Sequence, residues 1–210
     1  MAERRFIVRE NVRKRFAPLE GTAGRSLYGG GQARFELEGE TLTARPPFGL
    51  EAEGEWDIVH VEPLLAAVAD DHLVGILLVR LGGFAAGVFE GEELVASKVG
   101  ARNVHGRHRA GGSSANRFRR RREGQARVLV EAAAANGVKV LTPYRGRLRA
   151  VALGGDRMAV RQMLGASREL AQLAATTTPR FLTVPEPRRL VLERAIHDVY
   201  AVEVVTEAPS

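Results

Sequence analysis

The chain has 210 residues and a mass of 22.8 kDa, with 45% hydrophobic and 27% charged residues, which excludes wholesale disorder and suits one domain with a small extension. Its 31 basic and 25 acidic residues give a net charge of +6, and the absence of cysteine removes disulfides, thiolate metal sites and cysteine nucleophiles together. No run approaches the roughly 20 apolar residues of a membrane span, and Arg4-Arg5 is not followed by the apolar stretch of a secretory signal, so a cytoplasmic address without membrane attachment is expected. Residues 4–16 suit a short helix, and 21–31 read as a loop around Tyr28-Gly29-Gly30-Gly31. Residues 33–38 alternate apolar with charged positions, and with 41–44 they predict a hairpin turning at Gly39-Glu40. Pro46-Pro47 and the connector 49–55 then close a segment, 1–50, read as an N-terminal extension packed on a main domain of residues 51–210.

Residues 61–69 predict an apolar helix with Pro63 in its first turn, and 74–81 a near-continuous apolar run of central-strand type. Residues 84–90 and 93–99 predict two more strands hinged at Glu90-Gly91-Glu92, which completes an antiparallel meander. The glycine- and arginine-rich stretch 100–112 has almost nothing to bury and is expected to be a mobile loop. A long helix, capped by Ser113 or Ser114, should run to about Asn136 with Phe118, Ala126, Leu129, Val130 and Ala133 on its apolar side and Gly137 ending it. Beyond it, strands at 138–142, 148–153, 180–184 and 202–206 alternate with helices at 157–175 and 188–199, the pattern of an α/β domain with a mixed sheet.

Charge is concentrated rather than spread. Residues 98–127 hold ten basic residues, nine of them arginine, against one acid, Glu123, for a local +9; the other 180 residues hold 21 basic and 24 acidic residues, for −3. Arginine suits bidentate phosphate contacts and base stacking, and four consecutive arginines, 119–122, repel one another on a helix unless a polyanion engages them. A nucleic-acid partner is therefore expected.

Other chemistry is poorly supported. The stretch from Gly106 to Ser113 has the glycine spacing of a phosphate-binding P-loop, but Gly112 stands where the loop lysine belongs, so nucleotide hydrolysis is not expected. His105 and His108 flank Arg107, and a metal there would meet positive charge with too few ligands. His60, His72 and His197 are scattered. Asp70-Asp71 and the alternating Glu51, Glu53 and Glu55 read as surface acids.

One composite pattern is more specific. Lys98-Val99-Gly100, Arg102, Val104 and Gly106-Arg107 are followed by Ala110-Gly111-Gly112, Ser114, Arg117-Phe118, Arg120-Arg121-Arg122 and Gln125-Ala126. With the downstream Arg180-Phe181-Leu182, Val184-Pro185 and Pro187-Arg188-Arg189, this resembles the actinobacterial Vms-like release factors. The resemblance implies an α/β fold with a ribonuclease H-like mixed sheet and flanking helices, like the middle domain of eukaryotic and archaeal class-one release factors. It further implies hydrolysis of peptidyl-tRNA on stalled large ribosomal subunits, in ribosome rescue and quality control, with ribosomal RNA and peptidyl-tRNA as partners and no metal or cofactor. The family's Gly-x-x-Gln tip maps onto Gly112, Ser113, Ser114 and residue 115, with Asn116 next. Residue 115 is alanine in this chain, where the family's pattern has glutamine. Arg102, Arg107, Arg109, Arg117, Arg119, Arg120, Arg121 and Arg122 would contact RNA phosphates, Arg117 also being placed to orient the loop. Two readings follow, a peptidyl-tRNA hydrolase that lacks the glutamine side chain and a non-catalytic ribosome- or RNA-binding module.

Overall fold

A computed structural model describes residues 2–80, 82–101, 114–178 and 180–208, with the backbone alone for 114–122. In chain order the elements are β1 (Glu3–Ile7), α1 (Arg9–Phe16), β2 (Arg25–Gly29), β3 (Gln32–Leu37), β4 (Glu40–Arg45), β5 (Gly54–Trp56) and α2 (Glu62–Ala69). There follow β6 (Leu73–Arg80), β7 (Gly83–Glu90), β8 (Glu93–Ala101), α3 (Ser114–Leu141), β9 (Ala150–Gly155), α4 (Arg157–Gly165), α5 (Arg168–Leu173), α6 (Arg189–Val199) and β10 (Val202–Glu207). The fold is mixed α/β. It divides into two compact units, Met1–Asp71 with His197–Ser210, and His72–Ile196, so the expected boundary at residue 50 falls inside the first unit.

The first unit is a six-stranded sheet in the order β1-β10-β4-β3-β2-β5, antiparallel wherever its strands pair. Along β2, β3 and β4 buried positions alternate with exposed or half-buried ones, and Tyr28, Ala33, Phe35, Leu42 and Ala44 face one core. Val12 and Phe16 of α1 and Leu64 and Val68 of α2 fill the same core, with Phe16 and Phe35 rings 5.7 Å apart. The glycines read as a loop are a hairpin tip. Gly30 and Gly31 both have positive φ, +60° and +78°, between paired Gly29 and Gln32, as a two-residue primed turn requires. Residues 3–7 are a strand rather than the start of a helix, because they pair with β10, some 200 residues on, which no local pattern reveals.

Residues 57–61 of this unit are tied down by polar contacts. Ser26 Oγ donates to the Ile58 carbonyl (3.0 Å) and accepts from the His60 N–H (2.8 Å), and Tyr28 donates to the His60 carbonyl (2.6 Å). Glu20 bridges His60 Nδ1 (3.0 Å) and the Val61 N–H (2.6 Å) at the start of α2. The bonds to His60 and then Val61 hold the Glu20 carboxyl below its ordinary range, while burial pushes the Tyr28 phenol up.

The second unit is a four-stranded sheet in the order β8-β7-β6-β9. β6, β7 and β8 form the expected antiparallel meander, and β9 returns parallel to β6. A fifth position beside β9 is taken by residues bridging in parallel, Val151 with Thr177 and Gly154 with Leu182, rather than by the regular strand expected at 180–184. This 3-2-1-4-5 order, with the second strand reversed, is the ribonuclease H-like arrangement. β6 is buried at every position except Arg80, as a central strand covered on both faces must be.

Helix α3 crosses this sheet and buries Leu129, Val130, Ala133, Ala134 and Leu141 with Leu77, Val79, Phe84, Ala86 and Val88. Gly137 does not end it. A Cβ there would stand 3.0 Å from Leu170 and 3.1 Å from Leu77, so the glycine serves close packing, and the helix continues to Leu141 where a strand was expected at 138–142. The stretch expected as one helix at 157–175 is two. Asp156 Oδ1 accepts from the Ala159 N–H (2.8 Å) to begin α4, and Ser167 Oγ accepts from the Leu170 N–H (3.2 Å) to begin α5. The strand at 202–206 is present but joins the first unit's sheet, between β1 and β4.

Candidate functional site

The cationic segment begins where β8 ends and finishes along the first turns of α3. Its anchor is a cross-strand pair, Phe84 of β7 opposite Gly100 of β8. A Cβ on Gly100 would lie 2.5 Å from Phe84 Cζ and closer still to Cε1, so the ring occupies the space that glycine leaves. Phe84 is 6% exposed and belongs to the α3-facing core, which couples the root of the segment to the sheet.

At the other end, α3 spans 28 residues, and Leu129 is the first buried one among its described side chains. Fifteen residues separate it from Ser114, about 22 Å of helix at 1.5 Å per residue. Of the sequence-predicted site residues, Arg102, Arg107, Arg109, Gly112 and Ser113 lie outside the described residues. Ser114, Ala115, Asn116, Arg117, Arg119, Arg120, Arg121 and Arg122 fall on the first turns of α3, where only the backbone is described. The Gly106–Ser113 stretch, His105 and His108 likewise lie outside.

A second segment reaches the same sheet end. Leu182 donates to the Leu153 carbonyl (2.9 Å) and its own carbonyl accepts from Gly155 (3.0 Å), while Arg80 donates to the Val184 carbonyl (2.8 Å). The chain then passes the turn between β6 and β7: a Cβ on Gly83 would stand 3.1 Å from both the Pro187 and Gly100 carbonyls. Arg189 Nη1 donates to Ser97 Oγ of β8 (3.1 Å) and Nε to Glu193 (2.5 Å), and Arg188 pairs with Glu186 (2.9 Å). The fold thus brings Pro187, Arg188 and Arg189, far away in sequence, beside the end of β8 from which residues 102–113 depart. Composition alone gave these two arginines no role; their only signal was the downstream part of the composite pattern.

A cleft of about 360 Å³ opens between α3 and α4, lined by Glu123, Arg127, Glu131 and Gln162 among others. Arg127 and Glu131 pair across one turn (3.1 Å), so its rim carries both signs. Among the described residues, no group of three or more His, Cys, Asp or Glu converges as metal ligands, and no helix is long and apolar enough to cross a membrane.

Residues 72–205 match the family profile described as Actinobacteria/chloroflexi VLRF1 release factor, which covers the whole second unit and most of β10. The chain belongs to that family. The VLRF1 release factor match includes β8, α3 and the segment carrying Arg188 and Arg189, and it starts at the residue where the second unit starts. No curated protein sequence matches the chain. Similar solved structures include an archaeal protein, 15% identical over 77% of this chain and 50% of that one, with a TM-score of 0.42. Archaeal translation termination factor aRF1 is 14% identical over 80% of this chain and 49% of its own, TM-score 0.41, and a Vms1 mitochondrial localization core is 11% identical over 83% and 76%, TM-score 0.40. The chain spans about half the length of the first two.

Proposed function

We propose that this release factor is a peptidyl-tRNA hydrolase of ribosome rescue, acting in the cytoplasm on large ribosomal subunits that hold a stalled nascent chain. The observation that carries the reading is the family match over the unit that contains the +9 segment, residues 98–127. RNA supplies most of the substrate binding, and residues 112–116 form the tip that completes the reacting site. Arg102, Arg107, Arg109, Arg117 and Arg119 to Arg122 hold phosphates of ribosomal RNA and of the tRNA acceptor end, as concentrated arginine does wherever a backbone is bound without base readout.

Release requires water to attack the ester carbonyl carbon, a tetrahedral intermediate to form, and the tRNA 3′-oxygen to leave with a proton. Positioning the water and stabilising the developing oxyanion are the two contributions a protein tip can make. The backbone N–H of residue 115 survives any non-proline side chain and can serve the oxyanion. A side-chain amide at 115 would hold the water, and Ala115 has none. Gly112 gives the backbone freedom to approach RNA closely, and Ser113, Ser114 and Asn116 flank the tip. On this reading the chain as it stands is a slow hydrolase.

Ala115 also favours a second reading, a non-catalytic module that occupies the subunit. The deciding experiment measures nascent-chain release from isolated large subunits carrying peptidyl-tRNA, for this chain and for Ala115→Gln, with co-sedimentation alongside. Under the hydrolase reading Ala115→Gln raises the release rate by about 10²–10³, the range for a single positioned group in such a site. Arg119→Glu/Arg120→Glu/Arg121→Glu reduces both binding and release. Two inert forms that still bind the subunit establish the module instead, and absence of binding refutes both.

A further inference from the structure

The first unit lies almost wholly outside the family match, yet one of its surfaces has the same chemistry as the arginine segment. Five of its eight arginines pair with carboxylates within the unit, and a sixth is held by an amide. Arg4 pairs with Glu203 (2.8 Å), Arg5 with Glu3 (2.6 Å), Arg9 with Asp71 (2.6 Å), Arg25 with Glu55 and Arg34 with Glu36 (3.2 Å), while Arg45 donates to the Gln32 amide oxygen (2.5 Å). The remaining three bases are consecutive. Arg13, Lys14 and Arg15 of α1 are exposed and have no carboxylate partner among the described residues, in a unit that holds 16 acids against nine bases.

Their geometry follows from the helix. Val12 and Phe16 are fully buried, which fixes the inward face of α1, and successive residues turn by about 100°. Lys14 therefore points away from the core, with Arg13 and Arg15 about 100° to either side of it, a convex ridge of less than one turn, and the exposed Glu10 lies four residues before Lys14 on the same outward face. Glu10 is the one acid on α1; others gather at Glu36, Glu38 and Glu40 around the β3–β4 turn and at Glu51, Glu53, Glu55 and Asp57 in and beside β5.

We infer that this ridge is a second RNA-backbone contact, carried by the first unit and separate from the arginine helix. The inference rests on the ribosomal reading for which RNA is at hand, but its chemistry is that of any phosphate backbone. A lipid surface fits less well, because the apolar residues Val12 and Phe16 are spent on the core and leave no stripe to insert. An acidic protein fits less well too, since the ridge offers no aromatic or apolar anchor. The simplest competing account is that three cations in the last turn only offset the negative end of the helix dipole.

Salt dependence separates the two. In the full chain, Arg13→Gln/Lys14→Gln/Arg15→Gln keeps helix-forming residues and removes three charges. Binding to large subunits and, separately, to a poly(A)·poly(U) duplex is measured from about 0.05 to 0.3 M salt. Because each phosphate contact releases close to one counterion, the slope of log affinity against log salt should become shallower by about 2 to 3, with affinity at 0.1 M down by about tenfold or more. Arg13→Lys/Arg15→Lys should restore the slope. An unchanged slope on both probes overturns the inference, whether or not the melting temperature falls. A parent chain that binds the duplex but not the subunit refutes the ribosomal reading, and the duplex slope then decides this one. Loss of binding to anionic vesicles with no change in either slope assigns the ridge to lipid and also overturns it.

Discussion

Gly100→Ala tests the claim that the Phe84 ring fixes the root of the cationic segment. The new methyl would lie 2.5 Å from Phe84 Cζ, far inside contact distance, so the ring must swing away. Phe84 is 6% exposed, and moving it disturbs its packing in the cluster that includes Leu129 and Val88. Overpacking of this kind costs about 1–3 kcal/mol, and replacing a strand glycine by alanine returns about 0.5–1 kcal/mol of backbone entropy. A net loss of up to about 2.5 kcal/mol remains, centred near ~1 kcal/mol, which for a chain of this size lowers Tm by up to roughly 10 °C. The assay is thermal or urea unfolding of four forms: the parent, Gly100→Ala, Phe84→Leu and the double variant. Since the penalty arises from one ring, Gly100→Ala should cost clearly less in the Phe84→Leu background, with a coupling of about 1 kcal/mol or more. Equal cost in both backgrounds, or a raised Tm for Gly100→Ala, would refute the reasoning.

Leu129→Ala removes the first buried side chain of α3 among those described and should destabilise the second unit by about 2–5 kcal/mol, read by urea unfolding, with subunit binding weakened under the proposed function. Glu20 supplies an acid-dependent part of stability in the first unit. Its carboxyl titrates below its ordinary range in the folded state, so its contribution is fully present above about pH 4.3 and is lost as the pH falls through the lowered folded value. Glu20→Gln should flatten the decline of stability in that window and leave the slope near neutral pH unchanged; a decline identical to the parent's would show that the bonds to His60 and Val61 do not carry it.

The meander was legible because its signals are local. Residues 73–90 are apolar in strand-length runs broken at a turn, and the observed β6 and β7 differ from the expected bounds by a residue. The β3–β4 hairpin was legible for the same reason. β1 was not, since Arg4, Arg5 and Phe6 are strand residues only by virtue of β10. Gly137 misled because a glycine near the end of a periodic run is a stop signal by composition, whereas here Leu77 and Leu170 require the missing Cβ. Residues 180–184 have strand propensity but make only an isolated bridge. For the candidate site, the arginine run and its neighbours were legible as charge, and the substitution at Ala115 as a departure from a pattern. That Arg188 and Arg189 stand at the same sheet end was not, because it depends on Gly83 letting the Pro187 carbonyl approach the start of β7 and on the Arg189–Ser97 bond to β8.

The net charge of +6 acquires its meaning from the division of the fold. Residues 72–196 hold 22 basic and nine acidic residues, a net +13, and the other unit holds nine and 16, a net −7. A uniformly basic protein would bind polyanions in many orientations. Under the proposed function the second unit attracts RNA over long range, while the net charge of the first repels it. The unit with the positive excess is the one that matches the release factor family from its first residue. The acidic excess of the first unit then acts as selection against other approaches: docked through β5 or the β3–β4 turn, it would set carboxylates against phosphates. On α1 the three cations Arg13, Lys14 and Arg15 outnumber the single exposed acid Glu10, which is why their salt slope tests the ridge.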